Sequence, residues 1–391
     1  AEIWWDSSPL VYRNWAKAVD EGAPKEKKEM LRAQLNHLFD PDHPVETLFR
    51  GVTTNPPLSL DAIKDNPRFW TERVRALIRE NPNKGAEGIF WLTYKEIVKR
   101  GAEFFMPLWE KSGHRYGYLS GQVDPRDVCD AERMMTQALE LADLSPNVMV
   151  KCPGSAQGYA LIEKLTAKGI ATNNTLAFTV PQFVSCMEAV QQGLGQARRD
   201  GIDMYRWRSV ITHMSARFGT LGDLKIQAEA RRIDLTEEDI RWAELAIFKR
   251  GYRILQEKGY PNKMLMCSMR ISPPMQDGTV ASWHIEKIAG GDVVYTCPPR
   301  YIGALLQAEE KIRPFDPEAI SEEPPKAVMD KLMRLPYFVL SYEPDVMSKE
   351  DFHRHGAFAA TAAEFSRATR AMVDFVAQQF QMERKMEGTR V

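Results

Sequence analysis

Residues 148–179 read VMVKCPGSAQGYALIEKLTAKGIATNNTLAFT. Val148–Lys151 is a short apolar run, cut off at once by Cys-Pro-Gly, and it predicts a buried strand. Ala156–Ala167 has the spacing of an amphipathic helix, and Ile170–Phe178 is a second strand pattern. A strand, a helix and a strand in about thirty residues make one βαβ unit, whose two strands must lie parallel.

The same alternation extends in both directions. Further strands are predicted at Ile3–Asp6, Phe49–Asn55, Tyr116–Val123, Ser209–Met214, Lys263–Cys267 and Asp292–Cys297, giving eight. Helical patterns cover Pro125–Ala142, Pro181–Ala197, Glu237–Lys258 and Pro299–Glu309. Strand then helix, repeated eight times, predicts an α/β fold: a (β/α)₈ barrel in a single domain over 1–391. Residues 58–112 hold more helix than one connection needs, so extra helices are expected between strands two and three. The Pro- and acid-rich 310–349 reads as an irregular surface excursion. A long C-terminal helix over 350–386 shows one apolar face through Phe365, Ala368, Met372, Phe375, Val376 and Phe380. That face is expected to dock across the barrel or against another subunit, which leaves a homo-oligomer open.

The chain has 391 residues, 44% hydrophobic and 27% charged, with net charge −1. Near-neutrality gives no electrostatic reason for nucleic acid or an anionic membrane as partner. With no run of 18 apolar residues and no basic-then-apolar start, neither a membrane span nor a secretory signal is expected, and the reading is cytoplasmic. Five cysteines form no C-x-x-C pair and read as reduced thiols. Glycine-rich nucleotide loops and H-E-x-x-H are absent, so no metal and no cofactor is expected. His353 and His355 sit in a polar stretch and read as solvated surface.

Chemistry in a barrel gathers at the carboxyl ends of its strands. Those ends carry Asp6; Thr53 and Asn55; Gln122; Lys151; Asn173 and Thr175; Thr212, Met214 and then Arg217; Ser268 and Arg270. Lys151 is the informative one. An ammonium at the tip of a buried strand is costly unless it is paired or neutral. At its ordinary pKa, roughly one lysine in 2,500 is neutral at pH 7, so a nucleophilic lysine needs that value brought towards 7–8. Arg217 and Arg270, after strands six and seven, offer planar cationic forks suited to a tetrahedral anion. Strand alternation, with Thr212 and Met214 inward, points His213 outward.

These residues resemble the transaldolases, Schiff-base aldolases built on a (β/α)₈ barrel. GVTTNPPLSL at 51–60 and the segment at 148–179 are similar to the family's signature and to its lysine segment. THMSARFG at 212–219 and MCSMR at 266–270 resemble its arginine-bearing segments less closely. The resemblance implies that Lys151 forms the imine and that Asp6 is the acid/base. It implies further that Asn55, Asn173 and Thr175 hold substrate hydroxyls and a catalytic water, with Thr53 beside them. Arg217 and Arg270 would bind the sugar phosphate, with Ser268 close by. Gln122 stands where ordinary transaldolases carry glutamate, as it does in fructose 6-phosphate aldolases, and Met214 replaces an aromatic. The expected activity is transfer of a dihydroxyacetone unit from a ketose phosphate to an aldehyde, in carbohydrate metabolism of the pentose phosphate type. Aldol cleavage, a specialised or sulfosugar transaldolase, and a non-catalytic sugar-phosphate binder are the alternatives.

Overall fold

The computed structural model describes residues 1–272, 278–308, 311–312 and 314–388. Eight strands, β1 (Glu2–Trp5), β2 (Phe49–Thr53), β3 (Tyr118–Gln122), β4 (Val148–Pro153), β5 (Thr172–Ala177), β6 (Ser209–Met214), β7 (Lys263–Cys267) and β8 (Val294–Cys297), close into a parallel barrel in chain order. β8 returns to β1 with Glu2 opposite Val294 and Trp5 opposite Cys297. Every residue of β3, β4, β5 and β6 is buried. Helices cover the outside and side chains fill the inside, so these strands lack a solvent face.

The inward positions form layers. At the amino end, Glu2 is gripped by Arg208 at 2.6 Å and by Lys263 at 2.8 Å, and it accepts from Trp4 Nε1 at 3.0 Å. Gly51 faces Trp4: a Cβ there would lie 2.6 Å from the indole, so only glycine fits. Above, Thr212 Oγ1 donates to Asn173 Oδ1 (2.6 Å) and Asn173 Nδ2 donates to Ser120 Oγ (3.0 Å). The floor of the mouth is therefore polar, bonded and rigid.

The βα turn after β4 is tight. Ser155 Oγ caps the helix Ala156–Ala167 by accepting from Gly158 N at 3.1 Å. A Cβ on Gly158 would come within 1.9 Å of the Pro153 carbonyl. The carbonyl belongs to backbone, so the chain itself must move. Gly158→Ala is expected to cost about 1–3 kcal/mol, the usual range for overpacking, read as a lower urea midpoint at unchanged slope.

Four helices fill the link between β2 and β3: Pro56–Asp65, Pro67–Glu80, Ala86–Glu103 and Met106–Lys111. The C-terminal helix, Gly356–Gly388, packs on Pro56–Asp65, Ala86–Glu103, Ser215–Leu221 and β5. These elements leave or reach the carboxyl ends of β2, β5 and β6, so the helix lies across the mouth. Phe365, Ala368, Met372 and Val376 are buried there.

Two readings need correction. Within 310–349 the described residues form two α-helices, Lys326–Leu332 and Pro336–Tyr342, and a 3-10 turn at Ala319–Ser321; Glu310 and Arg313 fall outside the described residues, as does Glu309 at the end of the preceding predicted helix. Pro336 is at the first helical position, where a missing N–H costs nothing, so this proline starts a helix. Lys249 ties the segment to the helix Glu237–Lys258 by donating to the Ala319 carbonyl at 2.6 Å and the Glu322 carbonyl at 2.7 Å. His355 is buried, not solvated. It stacks on Tyr337 with centroids 4.6 Å apart, and burial pushes its pKa down to about 3. No helix among the described residues is long and apolar enough to cross a membrane.

Candidate active site

Lys151 enters the mouth from β4, beside Gln122 on β3 and Asn173 on β5. It is 3% exposed, and Nζ donates to the Thr54 carbonyl at 3.1 Å. Among the described residues no carboxylate forms an ion pair with it. Burial pushes the ammonium below its ordinary pKa, the field of Arg217 adds to this, and Asp6 opposes it.

Asp6 follows β1, its N–H donating to the Cys297 carbonyl at 3.0 Å. Burial raises its pKa against the pull of Lys151, Thr53, Arg217 and Arg300. Thr53 Oγ1 lies 2.6 Å from Asp6 Oδ1 and 2.6 Å from Thr296 Oγ1. Thr53 has one proton and the carboxylate needs it, so Thr296 donates to Thr53. The result is an acid and an amine in one mouth, each biased towards its neutral form, without a salt bridge between them.

Gln122 is fixed by its backbone: Tyr94 Oη donates to its carbonyl at 2.8 Å and accepts from its N–H at 2.9 Å. Its side-chain Oε1 is buried without a protein partner, and so is Thr175 Oγ1 on β5. Buried polar atoms are rarely left unpaired, so these two stand out in the mouth as a free acceptor and a free hydroxyl. Just after Thr175, Leu176 takes φ +52° where the β5–β6 register shifts, and Ser268 after β7 takes φ +58°. Left-handed backbone is costly for a branched apolar residue, and such strain clusters where side chains must be aimed. Asn55 caps the helix Pro56–Asp65, its Oδ1 accepting from Leu58 N at 3.0 Å, which leaves the amide nitrogen. Met214 ends β6 opposite Cys267.

The two arginines expected to converge are each engaged elsewhere. Arg217 makes a two-pronged pair with Glu364 of the C-terminal helix, at 2.5 and 2.8 Å, and lies over the Phe365 ring. Arg270 Nη2 donates to Glu244 Oε1 at 2.7 Å, while its Nε is buried without a partner. Glu244 is wholly buried and also meets Arg241 and His284. His213 points outward, among Phe183, Phe218 and Phe248, with its pKa pushed down to about 4 by burial. Strand alternation anticipated that direction.

Thr296, Glu364 and Arg300 went unremarked in the sequence, and Cys267 was read only as a packing cysteine at a strand end. Thr296 was findable, since it takes the inward position near the end of β8. Cys267 likewise sits at the end of β7, close enough to feel Asp6, Lys151 and Arg217. Nothing in the sequence marks Glu364.

The family described as Transaldolase/Fructose-6-phosphate aldolase matches residues 42–337. A transaldolase of Saccharopolyspora erythraea is 29% identical over 259 residues, 63% of this chain and 69% of that protein. One from Thiobacillus denitrificans is 27% identical over 268 residues, covering 65% and 73%. One from Mycobacterium tuberculosis is 26% identical over 344 residues, covering 84% and 88%. The family match leaves out β1 and Asp6 but runs from β2 through β8 into the helices beyond, over most of the chain. On that match the chain belongs to the transaldolase/fructose-6-phosphate aldolase family, as a transferase of transaldolase type.

Proposed function

We propose that the enzyme moves a three-carbon, dihydroxyacetone unit from a ketose phosphate to an aldehyde acceptor through an imine on Lys151. One observation carries this reading: a buried lysine near the end of β4, held by a single backbone carbonyl and, among the described residues, ion-paired to no carboxylate. A purely binding protein gains nothing from burying an amine in that state.

Neutral Nζ attacks the ketose C2 carbonyl, and loss of water leaves a protonated imine on Lys151. Asp6 takes the proton of the C4 hydroxyl. The C3–C4 bond breaks, its electron pair moves into the iminium to give an enamine, and an aldehyde departs. The enamine carbon then adds to the acceptor aldehyde, Asp6 returns the proton to the new alkoxide, and water hydrolyses the imine. Gln122 Oε1 and Thr175 Oγ1 hold that water. Asn55, Asn173, Thr212 and Ser268 meet the sugar hydroxyls, Met214 bounds the pocket, and Arg217 and Arg270 take the phosphate. An amide positions a water but cannot accept its proton, so Asp6 serves both halves of the reaction.

Borohydride reduction with fructose 6-phosphate, followed by intact-protein mass spectrometry, tests this. A three-carbon adduct that maps to Lys151 is the expected result. Partition of product between transfer and free dihydroxyacetone, with an aldose acceptor present, separates transaldolase from aldolase. Protein that is folded and turning over without any trapped adduct would sink the imine.

A further inference from the structure

The two arginines at this mouth differ in what carries them. Arg217 stands in the helix Ser215–Leu221, whereas Arg270 lies three residues beyond β7, outside any helix or strand. No ladder or helical turn fixes such a residue, and its backbone N–H must still find an acceptor. The acceptor is a side chain: Arg270 N donates to His284 Nδ1 at 3.2 Å.

That bond decides the state of the ring. A backbone N–H can only donate, and a neutral imidazole has one proton, so the proton of His284 sits on Nε2. Burial keeps the ring well below its ordinary pKa and hence neutral. Nε2 lies 2.7 Å from Glu244 Oε2 and donates to it. The other carboxyl oxygen, Oε1, accepts from Arg270 Nη2 at 2.7 Å. A closed circuit results, running from the backbone of Arg270 through the imidazole and the carboxyl group to the guanidinium of the same residue. His284 and Glu244 are both wholly buried.

The neighbouring elements are shaped around Glu244. A Cβ on Gly219 would strike Glu244 Oε1, so the helix that carries Arg217 is notched to admit it. The Glu244 carbonyl accepts from His213 Nε2 at 3.1 Å, and Arg241 Nη1 reaches Oε2 at 3.3 Å. Burial raises the pKa of Glu244 and Arg241 opposes this, while three N–H donors on its two oxygens fit the ionised form. The arginine so held is 26% exposed, and its Nε is buried without a partner among the described residues, a donor that the circuit does not use.

We propose that Glu244 and His284 are positioning residues for the substrate's phosphate: His284 fixes the backbone of Arg270, Glu244 fixes its guanidinium, and together they aim that fork at the anionic group of the sugar. This rests on the imine reading above and on its assignment of the phosphate to Arg270. Neither residue touches the reacting carbons. Their effect is on binding of the phosphorylated end, because a small misplacement of a clamp is enough to weaken it.

The test compares fructose 6-phosphate with dihydroxyacetone, a neutral ketose, in wild type, Glu244→Gln, His284→Phe, His284→Gln, Arg270→Ala and the double variant Glu244→Gln/Arg270→Ala. A glutamine amide turns an N–H towards either Arg270 or His284, so the circuit cannot close. Glu244→Gln is expected to raise KM for fructose 6-phosphate roughly 10-fold with kcat nearly unchanged. Inorganic phosphate, as a competitive inhibitor, should weaken by a similar factor. The dihydroxyacetone concentration that gives half-maximal borohydride trapping on Lys151 should stay at the wild-type value. His284→Phe should behave like Glu244→Gln, and His284→Gln, whose amide both accepts and donates, should recover part of the loss.

The double variant decides whether the effect runs through Arg270. Its KM should equal that of Arg270→Ala alone, since nothing is left to aim; losses that add would overturn the proposal. An equal loss with both ketoses, as general damage to the barrel would give, overturns it too, as does an unchanged KM for fructose 6-phosphate. Thermal unfolding and the yield of Lys151 adduct report the folded fraction, and the His284 variants carry the test if Glu244→Gln does not fold. The readings fail separately: wild type that traps neither ketose rejects the imine, an adduct with unchanged KM in Arg270→Ala rejects the phosphate assignment and this proposal with it, and an adduct with a raised KM in Arg270→Ala but not in Glu244→Gln rejects the positioning role alone.

Discussion

Lys151→Met is expected to lose turnover by at least about 10⁴-fold, the scale on which removal of a covalent nucleophile acts. The same variant should gain stability relative to wild type on the acid side. The amine is buried and its pKa is depressed from the ordinary 10.5. Below the depressed value lysine is charged in both the folded and the unfolded chain, and the folded protein carries the full cost of burying that charge. As pH rises towards 10.5 the folded amine becomes neutral while the unfolded one stays charged, and the cost fades. Above 10.5 it is gone. The advantage of methionine must therefore shrink as pH rises, even after the loss of the hydrogen bond to Thr54, worth about 1 kcal/mol. Urea midpoints for both proteins between pH 6 and 10 check this. Turnover within tenfold of wild type would end the mechanism, and an advantage that grows with pH would mean that Lys151 is not the depressed amine. Lys151→Arg gives the contrasting case, folded but permanently charged and hence inactive.

The barrel was legible because its signals are local. β6 and β7 run over the predicted residues, as do the helices Ala156–Ala167 and Glu237–Lys258. Each is bounded by residues whose backbone preferences end an element. The ends of β2 and β5 ran shorter than expected. Asn55 leaves its strand to cap a helix and Phe178 N bonds to Gln182 Oε1, neither of which an apolar pattern reports.

The candidate site divides in the same way. Residues on strand ends were found because a period of two places them. What holds them was not. Glu364 meets Arg217 across 147 residues of sequence, and Glu244 reaches Arg270 from an outer helix. The buried place of His355 depends on the packing of a segment that composition alone makes look irregular. Long-range electrostatic partners leave no periodic trace, so the arginines could be named while their engagement could not.

Asp6→Asn separates proton transfer from imine formation, and its expected loss in turnover is about 10²–10⁴-fold, the range for a positioned acid/base. The asparagine carbonyl can still accept from Thr53, so the local geometry is kept. Stability should again rise, now with the opposite dependence on pH. The carboxyl is raised above 3.8 by burial, so above the raised value the folded chain carries the cost of a buried charge. That cost disappears as pH falls below 3.8, and the advantage of asparagine must vanish with it. The chemical consequence is sharper. Asp6 is the charge that most helps Lys151 to keep its proton. Without it the amine is neutral over a wider range of pH and attacks the ketose more readily, yet nothing removes the C4 hydroxyl proton. An imine with the whole sugar should then accumulate, and reduction with borohydride should trap a six-carbon adduct where wild type gives a three-carbon one. A three-carbon adduct formed by Asp6→Asn at the wild-type rate would show that another group is the base. Attention would then pass to a water held by Gln122 and Thr175, whose buried oxygens have no partner among the described residues.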